Sequence, residues 1–209
     1  MKRMIELFVQ NSIQIRMNRT VYVDPFRIRD ELHDADIVLI THDHYDHFSP
    51  EDLQKVINEH SAVVLPKALE GQAKAVLPFA IDISTVQPNQ SYEVSGVSFD
   101  TVPAYNIGKP YHPVNSGWVG YIIHGSEGDI YIAGDTDATP ELKAVRCDVA
   151  MVPIGGTFTM NAAEAAEAVN EMKPKVVIPT HYGSIVGSKS DAQDFKNRII
   201  DGIEVDIRI

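Results

Sequence analysis

The segment Ile37-Val38-Leu39-Ile40-Thr41-His42-Asp43-His44-Tyr45-Asp46-His47-Phe48-Ser49-Pro50 passes from an apolar, mostly β-branched run straight into a dense set of imidazoles and carboxylates. Ile37 to Ile40 reads as a strand buried on both faces, as in a parallel sheet covered by helices. Residues His42 to His47 fit the pattern H-x-H-x-D-H. In an extended segment, residues two apart point to the same side, so His42 and His44 can address one point. Asp46 and His47 follow as the chain turns toward Ser49-Pro50, a helix start with a capping serine and a proline in the first turn. They can therefore address a second point nearby. Imidazole and carboxylate donors of this kind suit Zn²⁺, Mn²⁺ or Fe²⁺. The cluster also follows the carboxyl end of a buried strand, where open α/β sheets place their ligands.

Working outward, the same arrangement recurs. Ile132-Ala133-Gly134-Asp135-Thr136-Asp137 puts a carboxylate just after another apolar strand, and Gly134 permits close backbone approach there. Asp135 could bridge two cations, one oxygen toward each. Val177-Ile178-Pro179-Thr180-His181-Tyr182-Gly183 ends a third strand in a histidine. Taken alone, Asp135 reads as a turn aspartate and His181 as a capping or core histidine. Beside the first cluster, both become candidate metal ligands.

The rest of the chain alternates in a regular way. Ile5 to Val9, Ile13 to Met17 and Thr20 to Asp24 predict strands before the cluster. After it come a helix from Ser49 to about Asn58, a strand from Ala62 to Leu65 and a helix from Lys67 to Leu77. The middle predicts strands at Asp82 to Val86, Ser91 to Val94, Val97 to Val102, Trp118 to Ile123 and Asp129 to Ala133. The last third predicts strands at Val149 to Pro153, Lys175 to Pro179 and Ile203 to Ile209, with helices at Asn161 to Met172 and Asp191 to Ile200. This order, β-rich then β/α, runs twice. It predicts two related halves, each a sheet with covering helices, in one α/β domain over residues 1–209.

Composition narrows the function. A hydrophobic fraction of 44% and a charged fraction of 22% place the chain among ordinary globular proteins. The net charge of -11 disfavours long polyanions such as duplex nucleic acid. Cys147 is the only cysteine, which excludes an intrachain disulfide and an all-cysteine zinc site. Behind the basic pair Lys2-Arg3, Glu6 and Gln10 interrupt the apolar residues, so no signal peptide is expected. No apolar run is long enough to span a membrane. A cytoplasmic protein is the expectation.

With H-x-H-x-D-H, a later Gly-Asp and a late strand-end histidine, the chain resembles the metallo-β-lactamase fold superfamily over about residues 5 to 209. Val102-Pro103-Ala104-Tyr105-Asn106, Gly134-Asp135-Thr136-Asp137, Pro153-Ile154-Gly155-Gly156-Thr157 and His181-Tyr182-Gly183-Ser184 bring it closest to compact metal-dependent hydrolases related to ascorbate-6-phosphate lactonase. The resemblance implies a four-layer αββα sandwich, two β-sheets flanked by helices, with metals at one edge between the sheets. It implies His42, His44 and His112 on one ion, Asp46, His47 and His181 on the other, and Asp135 bridging. Asp24 looks like the early aspartate that supports the metal loop. Many relatives carry a histidine soon after the strand that here ends Val102-Pro103-Ala104. This chain has Tyr105-Asn106 there, so His112 is expected to complete the first site, with Asn106 as the alternative ligand. His33, His60 and His124 match no motif position and read as surface or packing residues.

The implied activity is a metal-dependent hydrolase. It would use a metal-bound hydroxide on a small ester, lactone or phosphoester, with two divalent cations, Zn²⁺ first and Mn²⁺ or Fe²⁺ as alternatives. Asp46 is the carboxylate expected to orient the nucleophile and take a proton. Substrate contacts are expected from Tyr105, Asn106, Lys109, Thr157 and Tyr182, with Tyr111, Trp118, Phe158 and Lys189 as further candidates. Lys109 and Lys189 would suit an anionic group. The alternatives are a nuclease or phosphodiesterase, a non-catalytic metal-binding protein, and a flavin-linked di-iron oxidoreductase. The last would need a fused electron-transfer domain. The partner expected is a small molecule, with no long nucleic acid and no membrane; a homo-oligomer remains open.

Overall fold

The structure, a computed structural model, describes residues 4–77 and 81–209. The pair Lys2-Arg3 lies outside them. Strands β1 (Ile5–Leu7), β2 (Ile13–Arg16), β3 (Thr20–Val23) and β4 (Ile37–Leu39) lead to the histidine loop. Helix α1 (Pro50–Val56), β5 (Ala62–Pro66), α2 (Glu70–Val76) and β6 (Asp82–Val86) complete a six-stranded sheet in the order β1-β2-β3-β4-β5-β6. Its first three strands pair antiparallel and the rest parallel. The second sheet repeats that plan. Strands β7 (Ser91–Val94), β8 (Val97–Pro103), β9 (Val119–Gly125) and β10 (Gly128–Ile132) form an antiparallel meander. Then α3 (Pro140–Ala144), β11 (Val149–Pro153), α4 (Ala162–Met172), β12 (Val176–Thr180), α5 (Lys189–Arg198) and β13 (Glu204–Val205) continue it in parallel.

The strand period of two explains the layers. Val21, Val23, Ile37 and Leu39 point inward, where they meet Tyr121, Ile130, Ile132 and Met151 of the other sheet in one apolar cluster. Their neighbours Tyr22, Val38 and Ile40 point outward and are covered by Leu53 and Val56 of α1 and Ala73 of α2. On the far side, Ala150, Val152 and Val177 are covered by Ala165 and Val169 of α4 and Phe195 of α5. Both faces of the central strands are therefore dry. The result is the αββα sandwich of two sheets flanked by helices.

Several boundaries depart from the sequence reading. Helix α3 carried no periodic signal because it is five residues long; Thr139 caps it, with its hydroxyl accepting the Leu142 N–H at 3.1 Å. The closing strand is shorter than Ile203 to Ile209, since only Glu204 and Val205 pair with β12. Helix α5 starts at Lys189, behind a Ser188–Asp191 capping box. The Ser49 hydroxyl accepts the Asp52 N–H at the start of α1 and donates to the Asp52 carboxylate at 2.8 Å, and that carboxylate also accepts the N–H groups of Arg27 and Ile28, both at 2.9 Å. Among the described residues no helix is long and apolar enough to cross a membrane.

Of the histidines outside the motif, His124 has a defined job. It lies on β9 between Asp100 of β8, 3.2 Å away, and Asp129 of β10, 3.0 Å away. Burial works to lower its pKa, but the bonds and charges of Asp129 and Asp100 prevail and raise it. A raised folded value stabilises the fold at pH below the ordinary histidine value, and the contribution fades as pH rises through the folded one. The group is part-exposed, so the effect should be under about 1 kcal/mol. The midpoint difference between wild type and His124→Gln should be larger at pH 5.5 than at pH 8.5. A gap that widens with pH would contradict this assignment.

Candidate metal centre

The ligand-type side chains other than His112 stand where a strand lets go of its sheet. After β4, the Ile40 N–H still bonds the Val64 carbonyl at 2.8 Å, and the chain then leaves the sheet. Thr41 is caught at once by Asp24, which follows β3 and is fully buried with φ +45°. Aspartate tolerates that left-handed conformation better than most residues. One Asp24 oxygen accepts the Thr41 N–H at 2.8 Å. The other takes the Thr41 hydroxyl at 2.7 Å, Asn11 Nδ2 at 2.7 Å and His47 Nδ1 at 2.8 Å. The loop closes where the N–H groups of His47 and Phe48 both bond the His44 carbonyl. Asp24 thus fixes both ends of the loop.

The second half delivers the remaining groups to the same place. Gly134 follows β10 with φ +65°, and a Cβ there would lie 3.1 Å from Thr41 Cβ. Only glycine lets this strand end come so close, and Asp135 is carried in behind it. His181 follows β12, and its N–H bonds the Gln10 carbonyl at 3.0 Å. His112 lies in the irregular loop after β8, and Asn106 braces it. The Asn106 N–H bonds the His112 carbonyl at 2.7 Å, while its side-chain oxygen takes the His112 N–H at 3.0 Å and faces His112 Nδ1 at 2.9 Å. Asn106 Nδ2 in turn holds the Phe158 carbonyl at 2.9 Å. His112 therefore reaches the cluster, and Asn106 stands behind it.

Two groups of ligand atoms result. His42, His44, His112 and Asp135 form one; Asp46, His47 and His181 form the other; within each, the atoms lie within 4.8 Å of one another. Asp135 touches both. Its oxygens are 3.4 Å from His47 Nε2, 3.4 Å from His112 Nε2 and 3.2 Å from His181 Nε2. His47 Nε2, His112 Nε2 and one Asp135 oxygen are buried and have no hydrogen-bond partner among the described residues. Orphaned buried polar atoms are rare and costly. Three of them converging on one spot, all of ligand type, fit a cation.

The electrostatics agree with that fit. Burial would lower the His47 pKa, yet the charges of Asp135 and Asp24 outweigh it and hold this imidazole well above its usual value. His181 is opposed by burial in the same way, and Asp135 carries it up to about 9. Burial and the charge on His47 push His42 well down, and burial and His112 lower His44. Asp135 resists its own burial through the charges of His181 and His47 and stays well below the ordinary carboxylate value. Without a cation, then, protons on His47 and His181 balance the carboxylates.

The residues expected to touch substrate divide sharply. Tyr111, Phe158 and Tyr45 surround the cleft over the cluster together with Ile185. The Trp118 ring lies 5.1, 5.2 and 5.6 Å from those of His42, His44 and His112, so it walls the first group. Lys109 is not free for an anion, because Nζ bonds Asp137 at 2.6 Å and the Thr159 carbonyl at 2.7 Å. The Tyr105 hydroxyl is turned to Glu141 at 2.9 Å. Tyr182 is fully buried in the core under α4 and α5, with its hydroxyl near the Ile209 carbonyl, so it is a packing residue. Thr157 and Lys189 are exposed and do not line the cleft. Asp137 clamps the His112 loop by accepting the Ile107 N–H at 2.8 Å and the Lys109 ammonium.

The sequence reading missed Gln10 and Asn11. Gln10 is buried, and its amide nitrogen lies 3.2 and 3.3 Å from the two ring nitrogens of His181 and 3.5 Å from Asp46 Oδ2. Asn11 is one of the groups on Asp24. The available signal was a polar Gln-Asn-Ser run at the end of an apolar strand.

Gly155, after β11, shows how tightly the His181 turn is seated. A Cβ there would lie 2.3 Å from the His181 carbonyl oxygen and 2.7 Å from Val186 Cγ2. Gly155→Ala should destabilise the fold by about 3 kcal/mol, the upper range for overpacking. It should also loosen metal retention, because His181 must move. Unfolding by denaturant and metal analysis of the same sample check both; an unchanged midpoint would contradict the packing described.

Comparison with known proteins points in one direction. The family described as beta-lactamase superfamily domain matches residues 5–181. A UPF0173 metal-dependent hydrolase from Methanopyrus kandleri is 32% identical over 209 residues, covering 90% of this chain and 88% of its own. A protein described as a metal-dependent hydrolase of Parabacteroides distasonis superposes with a TM-score of 0.81 at 30% identity, covering 98% of this chain and 91% of that one. Igni18, a metallo hydrolase from Ignicoccus hospitalis, has the same fold, with a TM-score of 0.77 at 19% identity and coverage of 98% and 94%.

Proposed function

The chain belongs to the β-lactamase superfamily, among the UPF0173 metal-dependent hydrolases, and from that premise we propose that it hydrolyses a small ester, lactone or phosphoester with two divalent cations. His42, His44 and His112 would hold one cation, Asp46, His47 and His181 the other, and Asp135 both. One observation carries the reading: seven ligand-type side chains from both halves of the fold converge, with three orphaned buried ligand atoms among them. The donor set of imidazole and carboxylate suits Zn²⁺ first, and Mn²⁺ or Fe²⁺ as well. The single, part-buried Cys147 is consistent with work in the cytoplasm.

Bound there, such cations acidify a water and polarise a substrate oxygen. The protein's own groups supply the rest. Asp24, Asn106 and Thr41 hold the Nδ1 atoms of His47, His112 and His42, which leaves each Nε2 to face the centre. Asp46 lines the cleft, and its hydrogen bond with His181 overcomes burial to keep its pKa low. At neutral pH it is therefore a carboxylate that can orient a nucleophilic water and receive its proton.

The test is metal analysis of the purified protein, followed by assays on p-nitrophenyl acetate, a γ-lactone and bis-p-nitrophenyl phosphate with added Zn²⁺ or Mn²⁺. Activity should vanish in His44→Ala and persist in His60→Ala, whose side chain is exposed at the surface. Tight metal binding with no turnover on any substrate would favour a metal-binding protein on this fold instead.

A further inference from the structure

Resting on the hydrolytic reading, we infer that the cleft takes an uncharged substrate with a compact aryl or alkyl group beside its reactive carbonyl, and not a phosphoester or other anion. The cavity is about 300 Å³, at the small end for ligand sites. Its floor is His44, Asp46, Asp135 and His181, and its walls are Tyr45, Tyr111, Phe158 and Ile185. Tyr111 and Phe158 meet edge to face with ring centres 4.8 Å apart, and Tyr45 meets Phe26 the same way at 5.9 Å. The Phe158 backbone is tied to Asn106, the residue that braces His112, so this wall is set by the same hydrogen bonds as the cluster.

A cationic side chain for an anion is missing from those walls: among the described residues no lysine or arginine lines the cleft. Lys109, on the neighbouring loop, is already spent on Asp137 and the Thr159 carbonyl. Arg27 is turned to Ser184 at 3.0 Å and lies over the Phe26 ring at 5.1 Å. Against two divalent cations stand three carboxylates, Asp24, Asp46 and Asp135, so the floor would keep little excess positive charge. That is enough for one carbonyl oxygen, but among the described residues no guanidinium fork lines the cleft for the further oxygens of a phosphoryl group. The protein as a whole carries a net charge of -11, which repels anions at a distance.

On an ester of this class the water oxygen bonds to the carbonyl carbon and the acyl–alkoxy bond breaks. One water proton passes by way of Asp46 to the leaving oxygen, giving an acid and an alcohol. The aromatic walls would grip the group next to the carbonyl.

The test uses the metal-loaded protein and two readouts. The rate enhancement over the uncatalysed reaction should be at least 100-fold larger for p-nitrophenyl butyrate than for bis-p-nitrophenyl phosphate or p-nitrophenyl phosphate. By calorimetry, benzohydroxamate should bind about tenfold tighter than acetohydroxamate, the effect of burying part of a phenyl ring. That advantage should fall to about twofold or less in Phe158→Ala and in Tyr111→Ala, each shown to be folded by its unfolding midpoint. A preference for the phosphoesters would overturn the inference and leave the hydrolytic reading standing. Equal binding of the two hydroxamates, or an aryl advantage that survives both substitutions, would overturn it as well. If the loaded protein turns over none of the substrates, the hydrolytic reading falls, and the hydroxamate ratio alone decides whether the walls recognise an uncharged aryl group.

Discussion

Asp135→Ala will weaken metal retention by more than about 100-fold, because changes one shell further out already cost 10–100-fold. The carboxylate is within 3.4 Å of His47, His112 and His181, so its loss strips a donor from both groups at once. The metal-free protein should suffer too. There Asp135 is the counter-charge that keeps His47 and His181 protonated despite burial. Breaking one partner out of a buried charge set costs about 3–5 kcal/mol, less whatever the histidines recover by releasing their protons. Asp135 has a depressed pKa, so its contribution is absent in strong acid and arises once it ionises. Both histidines have raised values, so their shares are complete below the ordinary histidine pKa; the share of His181 fades through about 9, and that of His47 is lost only as pH rises through its own raised value. The midpoint gap between metal-free wild type and variant should therefore be larger at pH 6 than at pH 9.5. A variant that keeps its full metal content through dialysis would sink the assignment.

Asp24→Ala will be among the costliest single changes to stability in this region. Four hydrogen bonds end on that buried carboxylate: two from Thr41 and one each from Asn11 and His47. Alanine orphans them in a place water cannot reach, and each buried orphan costs about 1–3 kcal/mol. About 4 kcal/mol or more should be lost, a large part of the 5–15 kcal/mol typical of a domain. Asp24→Asn separates the two roles of this residue. It keeps the shape and an acceptor for the Thr41 N–H but no longer offers charge to His47 Nδ1. The asparagine variant should fold and hold metal about 10–100-fold more weakly. Denaturant unfolding and metal analysis of both variants read the difference; a loss under 1 kcal/mol for the alanine form would refute the role given to Asp24.

Much of this centre was legible in the sequence, for a physical reason. Parallel strands covered on both sides must be continuous apolar runs, so Ile37 to Ile40 and Val177 to Pro179 announce themselves, and so does whatever polar residue ends them. His42 to His47, Asp135 and His181 all sit at such ends. The His112 loop has no period, and its shape comes from bonds between Asn106 and His112 that no spacing rule predicts. Both residues were therefore candidates, and only the fold shows that His112 faces the cluster with Asn106 behind it. Lys109 and Tyr182 misled for a related reason. A cation or aromatic near a strand end looks available until its partner is known, and those partners, Asp137 and the chain end at Ile209, lie 28 and 27 residues away. Gln10 was invisible because its contact with His181 spans 171 residues. Helix α3 is too short to show a period at all.

Trp118 is the one tryptophan in the chain, and its indole leans on three of the imidazoles at about 5 Å. Indole emission shifts with the polarity of its surroundings. The protein's ultraviolet fluorescence is therefore a built-in optical gauge of that one corner. Titrating a cation or a hydroxamate into a cuvette should move the spectrum with no label attached, and a dye-free screen for occupants of the cleft needs nothing beyond the purified chain.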